Sequence, residues 1–333
     1  MKFPPFQNMT MFLRLLTSIF TLCLFFTVSA QPKPDYPNGP ITLVIPFAPG
    51  GSTDIIGRLI ADRLSQAFKQ TVVVENRAGA GGNIGATAVA KANPDGRTLL
   101  FGTTGILSIN EFIYPNLPYQ VGKDLVPVAY VSSISNVLVV NKNLPVDTVE
   151  QLIALAKKEP GKLSFGSSGS GASTHLSGEL FKAMTGVDIT HIPYKGSSQA
   201  LVDLMGGQIS MVFDNAPSAV HLIESGKVKA LAVTSLEPLA ILPSVPSMNQ
   251  AGVPGYESLS WSGVVAPGGT PDVIIQKINK EVNLILEDDS VKQKFIELGS
   301  QPTGGSAQAF AEHINAERLK WGKIVREANI KVQ

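Results

Sequence analysis

Three short stretches carry most of the groups that could do chemistry: Pro49-Gly-Gly-Ser-Thr-Asp54, Gly102-Thr-Thr-Gly105 and Gly166-Ser-Ser-Gly-Ser-Gly171. Each combines glycines, which let backbone N–H groups approach a ligand closely, with hydroxyls that donate or accept hydrogen bonds. Each follows a strand-like run, the position at which open α/β sheets bind ligands. A following helix N-terminus adds about half a positive charge, so such a site suits an anion. None of the three contains Lys or Arg. Polyphosphates are usually met by such cations, so one or two carboxylates held by neutral donors fit better. Taken singly, each stretch reads equally well as an ordinary turn with an N-capping hydroxyl.

The titratable candidates are few. His175, His191, His221 and His313 show no metal-ligand spacing, so no metal and no cofactor are expected. His175 falls in the first helical turn after the third loop, off the apolar stripe, and reads either as facing a ligand or as having a solvent or capping role. His191 sits in a strand and reads as a satisfied core residue. Asp54, in a first helical turn, either contacts a ligand or simply complements the helix dipole. Asp214, just after the strand Ile209–Phe213, either accepts a ligand hydroxyl or amine or caps the helix beginning near Pro217. Tyr194 and Lys195 end another strand, and Lys195 is the one cation expected near a cleft, with a surface position as the alternative. Trp261 reads as packing between domains. Nucleotide motifs fail: no Gly-Lys-Ser/Thr occurs, and Gly79-Ala-Gly-Gly-Asn-Ile84 places Ile84 where a dinucleotide fingerprint needs a small residue. Around Ser168 the closing glycine of a hydrolase elbow is absent.

The elements that must position these groups follow from composition and periodicity. The chain has 333 residues, 44% hydrophobic and 16% charged, with a net charge of +1. That excludes disorder, and the lack of any long Lys/Arg cluster argues against nucleic acid as a partner. Lys2 and Arg14 precede the apolar run Leu15–Val28, which ends in Val28-Ser29-Ala30. This reads as a secretory signal over residues 1–30, cleaved after Ala30, since the run is shorter than the about 20 residues a membrane span needs. The single cysteine, Cys23, would leave with it, which excludes a disulfide scaffold or a Cys nucleophile in the mature protein. The mature protein is expected to be soluble outside the cytoplasmic membrane.

Downstream, strand, Gly/Ser-rich turn and helix alternate. Ile41–Phe47 is a short apolar run, and Ile56, Ile60, Leu64 and Phe68 share a helical face. Thr71–Val74 reads as a buried strand and Thr98–Phe101 as a third. Val126–Asn141 is long and strand-like. Thr148-Val-Glu-Gln151 reads as a capping box opening a helix through Lys158. A later helix carries Leu176, Leu180 and Met184 on one stripe and stops at Gly186. The expected fold is α/β with two lobes, each a mainly parallel sheet flanked by helices. Lobe 1 is expected over 37–131 and 256–333, and lobe 2 over 132–255, with hinge crossings near 126–141 and 228–265.

Pro46-Phe-Ala-Pro-Gly-Gly-Ser-Thr-Asp54, Glu75-Asn-Arg-Ala-Gly-Ala-Gly-Gly-Asn83-Ile-Gly85, Pro94-Asp-Gly-Arg-Thr98, Gly166–Gly171 and Pro193-Tyr-Lys-Gly196 resemble the signature stretches of the Bug-type (TctC-like) solute-binding proteins of tripartite tricarboxylate transporters. The resemblance runs from about Pro40 to the C-terminus. It implies a periplasmic flytrap that closes on a di- or tricarboxylate, an acidic amino acid or an aromatic carboxylate. It also implies delivery, in some members, to the integral membrane subunits of a transporter; a monomer is expected. Carried over by motif, the ligand-binding residues would be Phe47, Ala48, Gly50, Gly51, Ser52 and Asp54 from the first loop. From the third they would be Gly166, Ser167, Ser168, Gly169, Gly171, Ser173, Thr174 and His175. Thr103, Thr104, Tyr194 and Asp214 are looser assignments. No catalytic residue is implied. The competing readings are a secreted hydrolase or isomerase using Ser168 or Ser173 with His175, and a sensory adaptor for a membrane receptor.

Overall fold

Residue 1, residues 36–327 and residue 330 are described by the computed structural model of the chain. The expected signal segment, its cleavage point and Cys23 lie outside the described residues. The chain opens with β1 (Ile41–Ile45), α1 (Ser52–Phe68), β2 (Val72–Asn76), α2 (Asn83–Ala90) and β3 (Thr98–Thr103). A π-helical turn, Gly105–Ile109, and a helical turn, Asn110–Ile113, lead to β4 (Leu125–Asn141). Alternation then resumes with α3 (Val149–Lys158), β5 (Ser164–Ser167), α4 (Ser173–Thr185), β6 (Thr190–Pro193), α5 (Ser197–Met205), β7 (Met211–Asn215), α6 (Ala216–Glu224) and β8 (Val228–Val233). The chain returns through β9 (Leu259–Pro267), α7 (Asp272–Glu287), α8 (Asp289–Glu297), β10 (Ser300–Pro302) and α9 (Ala307–Glu327).

Strands run β2-β1-β3-β9-β4-β7-β5-β6, with β8 and β10 also paired to β4. The sheet is mixed. β1 pairs in parallel with β2 and β3, and β5 with β6 and β7, as βαβ units require. The centre is antiparallel, because β4 and β9 run against their neighbours. One strand serves both lobes: residues 125–135 of β4 pair with β9, and residues 136–141 with β7 and β8.

Alternation along the strands sorts side chains between the two faces. Ile41, Leu43 and Ile45 of β1 join Ile56, Ile60 and Leu64 of α1, while Val44 faces a second cluster with Leu100, Trp261 and Phe310. Leu138 and Val140 of β4 face α3 and α4, whereas Val137 and Val139 face α5 and α6. A fully buried strand would read as a continuous apolar run, which is why Thr71–Val74 suggested burial. The strand is instead at the sheet's edge, and Val73 is 49% exposed. Thr148 caps α3 through its Oγ1, which accepts the Gln151 N–H at 3.2 Å; the Gln151 side chain reaches back one residue further, to the Asp147 N–H.

The expected stripe on α4 is corrected. Leu176 is buried, but Met184 is 40% exposed, and the helix turns Phe181, Ser177, Gly178 and His175 inward. Small and polar side chains displace the leucines because this helix lies against polar groups of the crossing strands as well as against Phe165.

Candidate functional site

The three glycine-hydroxyl loops lie at the C-terminal ends of β1, β3 and β5; the first touches residues 195–198 and 215 of the second lobe, and the second touches the third at Gly105 and Gly171. The first is braced from below by Asp54. Its Oδ2 accepts the Gly50 N–H at 3.0 Å, and its Oδ1 accepts from Asn76 Nδ2 at 2.9 Å and Arg58 Nε at 3.0 Å. Asn76 Nδ2 also donates to the Phe47 carbonyl at 3.0 Å. Burial alone would raise the Asp54 pKa, but hydrogen bonds from Arg58, Gly50 and Asn76 together hold it below the usual carboxylate range. Both oxygens are therefore occupied in shaping the loop that carries Phe47, Ala48, Gly50 and Gly51.

Across from this loop stand residues 195–198 and 215. The Ala48 N–H donates to the Lys195 carbonyl at 3.1 Å, Ser198 Oγ to the Pro49 carbonyl at 3.0 Å, and Ser52 Oγ to Asn215 Oδ1 at 2.8 Å. Lys195 thus contributes its backbone here.

The third loop is held mainly by its own residues. Thr174 Oγ1 accepts the Ser168 N–H at 2.9 Å and lies 3.0 Å from Ser168 Oγ. Ser167 Oγ accepts the Gly169 N–H at 3.1 Å and sits 2.6 Å from His191 Nε2. His175 Nδ1 accepts the Gly171 N–H at 3.1 Å, which places the imidazole proton on Nε2 when the ring is neutral. The rings of His175 and His191 stack at 4.0 Å, and both stack on Phe165. Burial, then the His191 and Lys182 charges, lower the His175 pKa to about 2; burial and Lys182 lower that of His191 to about 4. His191 is thus a partner of the loop as well as a strand residue.

First-lobe groups clasp this loop. Tyr114 OH donates to the Ser170 carbonyl at 2.8 Å. A Cβ placed on Gly81 would stand 2.1 Å from that same carbonyl oxygen, and one on Gly105 would stand 2.6 Å from the Gly171 oxygen. The backbones of the two lobes approach so closely that only glycine fits at these points. Gly81, Tyr114 and Asn215 were not singled out as site residues from the sequence, and Gly105 was noted only as the end of the second loop. The glycines were visible, but their partners lie some 60–90 positions away, and no local pattern reveals that distance.

The looser assignments divide. Thr104 is fully buried, and its Oγ1 accepts the Trp261 N–H at 2.8 Å and donates to the Trp261 carbonyl at 3.2 Å, so the hydroxyl anchors the second loop to β9. Thr103 is buried beside it. Tyr194 borders the third loop through its backbone, its N–H donating to the Ser167 carbonyl at 3.0 Å, while its OH donates to Asp203 Oδ2 on α5 at 2.7 Å and its pKa is pushed up to about 12 by burial and by Asp203. Asp214 is fully buried at the end of β7, with Ser218 on Oδ2 and no hydrogen-bond partner on Oδ1. Burial, opposed by the Ser218, Ser197 and Asn215 hydrogen bonds, raises its pKa to about 6. Ser173 is buried at the start of α4. Trp261 is packed against Tyr130, Phe310 and His313.

The arrangement places glycine-rich backbone and hydroxyls at the N-termini of α1 and α4, and many of these donors already hold partners within their loop or across the lobe boundary. Among the described residues no cluster of His, Cys, Asp and Glu could hold a metal ion, and no helix is long and apolar enough to cross a membrane.

The family model described as Tripartite tricarboxylate transporter family receptor, TctC, matches residues 56–330. Protein BugT of Bordetella pertussis (strain Tohama I) is 39% identical over 329 residues, covering 98% of this chain and 100% of BugT. Among solved structures, R. palustris Rpa4515 with adipate has 43% identity and a TM-score of 0.87, covering 90% of this chain and 100% of that one. MatC (Rpa3494) from Rhodopseudomonas palustris with bound malate has 32% identity and a TM-score of 0.84, covering 87% and 100%.

Proposed function

The chain belongs to the tripartite tricarboxylate transporter receptor family, and from that premise we propose that it closes two lobes around a small organic carboxylate. Proteins of this family are periplasmic solute-binding receptors. The observation that carries the reading is that two glycine-hydroxyl loops, Phe47–Asp54 and Gly166–His175, each stand at a helix N-terminus and each contact the other lobe. An organic acid needs donors on both oxygens of each carboxylate, and such loops supply them without a cation. The acids bound by Rpa4515 and MatC, adipate and malate, set the scale of ligand we expect.

The ligand lies against Phe47, Ala48, Gly50, Gly51 and Ser52 in the first lobe and against Ser168, Gly169, Gly171, Ser173 and Thr174 in the second; with the Ala48, Gly50, Ser168, Gly169 and Gly171 N–H groups engaged by protein, its donors are the N–H groups of the first helical turns at Gly51, Ser52, Ser173 and Thr174. Asp54, Thr104, Ser167 and His175 act behind them by holding the loops in shape. Lobe 1 spans 37–131 and 256–333 and lobe 2 spans 132–255. An open form exposes both loops, and a ligand touching both stabilises the closed form by its differential affinity. The receptor works as a monomer after export and cleavage at Ala30, and passes its ligand to integral membrane subunits.

Binding without turnover fits the side chains. Ser168 shares its hydroxyl with Thr174, and His175 Nδ1 is taken by the Gly171 N–H, so neither Ser168 nor Ser173 is activated by this histidine. Ser167, which does meet an imidazole, is fully buried.

A thermal-shift series of linear dicarboxylates, adipate and malate included, tests the reading. A ligand at a hundred times its Kd stabilises by about 2.7 kcal/mol, a rise of about 5 °C for a chain of this size. Folded protein that shows no rise with any acid contradicts the proposal. Chromatography of the recovered compound then separates receptor from enzyme, since a receptor returns it unchanged.

A further inference from the structure

A buried polar chain runs from the first ligand loop to both crossing segments. Ser52 Oγ donates to Asn215 Oδ1 at 2.8 Å, and Asn215 Nδ2 donates to Asn136 Oδ1. Asn136 Nδ2 donates to Ser177 Oγ at 2.7 Å, and Ser177 Oγ donates to the Ser173 carbonyl at 2.9 Å. Ser177 Oγ also lies 2.8 Å from Ser258 Oγ, while Thr234 Oγ1 accepts the Asn136 N–H at 2.8 Å and donates to the Ser258 carbonyl at 2.6 Å. All of these side chains are buried.

The chain has a direction. The Ser177 hydroxyl proton is committed to Ser173, so toward Asn136 it can only accept, which turns Nδ2 of Asn136 toward Ser177 and Oδ1 toward Asn215. Asn215 must then present Nδ2 to Asn136 and Oδ1 to Ser52. The acceptor that meets the Ser52 hydroxyl across the lobe boundary is therefore oriented by groups on β4, where that strand passes between lobes, and on α4, which opens from the third loop. A satisfied buried network of this kind favours one geometry.

We infer that Asn215 is a latch for lobe closure, oriented by Asn136, and that the pair sets the closed population and the ligand release rate. Neither needs to touch the ligand. The ligand arm of the test rests on the carboxylate-receptor reading; the closure arm does not.

The mature chain is expected to carry no cysteine, so Asp62→Cys and Lys157→Cys place one dye on each lobe for single-molecule energy transfer. Without ligand, Asn215→Ala and Asn136→Ala lower the ratio of closed to open molecules about threefold to tenfold, the worth of one neutral hydrogen bond. Ser52→Ala does the same, Ser52→Thr restores closure, and Ser52→Ala with Asn215→Ala is no worse than either alone. With adipate as probe, release from Asn215→Ala and Asn136→Ala accelerates by the same factor while association changes little. An unchanged closed population in the Ser52 and Asn215 variants, or additive effects in the double variant, overturns the inference. Altered closure in a protein that binds no acid leaves the latch standing and removes the receptor reading instead.

Discussion

Gly105→Ala weakens carboxylate capture by about tenfold to a hundredfold and leaves the melting temperature of the unliganded protein almost unchanged. A Cβ at position 105 would stand 2.6 Å from the Gly171 carbonyl oxygen and 3.3 Å from Ala172 Cα, and these are the three nearest contacts together with the Gly171 carbonyl carbon. All belong to the opposite lobe. Gly105 is not in the left-handed region, so alanine brings no local backbone strain. The obstacle is a backbone carbonyl whose neighbours are fixed by the Gly171–His175 and Ala172–Gly169 hydrogen bonds, so it has little room to yield. Opening the lobes relieves the clash completely and folding does not create it. An overpacking penalty of about 1–3 kcal/mol therefore falls on the closed form alone. Calorimetric titration should show affinity falling by about tenfold to a hundredfold, with denaturation midpoints matching the unsubstituted protein. Normal affinity in this variant would mean that the lobes do not meet here when ligand is held.

Acid weakens the fold through the stacked histidine pair, and His191→Gln flattens that dependence. Both imidazoles titrate well below their usual 6.5 when folded, at about 2 for His175 and about 4 for His191. Below pH 6.5 the unfolded chain therefore binds protons that the folded chain refuses, and stability falls as pH drops toward 4. Asp214 works the other way, because its folded pKa of about 6 lies above the unfolded 3.8, so the folded form takes up a proton first between those values. Two histidines against one carboxyl leave a net loss of about 2 kcal/mol between pH 7 and pH 5. The charged groups facing the pair do not reverse this. Lys182 adds to the depression, and Glu179, 3.9 Å from His175 Nε2, is itself engaged by Lys182 at 3.0 Å. Urea midpoints at pH 7 and pH 5 measure the difference. In His191→Gln the loss should shrink by about 1–2 kcal/mol, and an identical slope in both proteins would contradict this account of the loop.

What was legible from the sequence was local. Glycine and hydroxyl clusters at strand ends, a helix opening after each of two loops, and a long central strand all leave short-range signatures, and the two-lobed α/β fold follows from them. Roles decided at long range were not legible. Asp54 reads as facing a ligand or its own loop, and nothing local in the sequence signals that Asn76, from another strand, donates to its Oδ1. Thr104 offers a hydroxyl in a promising turn, yet Trp261, 157 residues away, takes both of its hydrogen bonds. Tyr194 ends a strand beside the cleft, but Asp203 on the next helix draws its OH outward. Leu180 and Met184 completed a stripe on paper, whereas the helix buries Ser177 because Asn136 and Ser258 need a partner there. The antiparallel centre of the sheet also escaped, since alternating βα units predict parallel neighbours and say nothing of where a crossing strand inserts.

The central claim is that neutral donors from both lobes grip an organic acid. A crystal structure of the protein with adipate tests it most directly. The account predicts one carboxylate at the lobe boundary, its oxygens about 3 Å from backbone N–H groups or hydroxyls of both Ala48–Ser52 and Ser168–Thr174. An adipate carboxylate ion-paired with Lys195 or another cation, or bound by one lobe only, would contradict it.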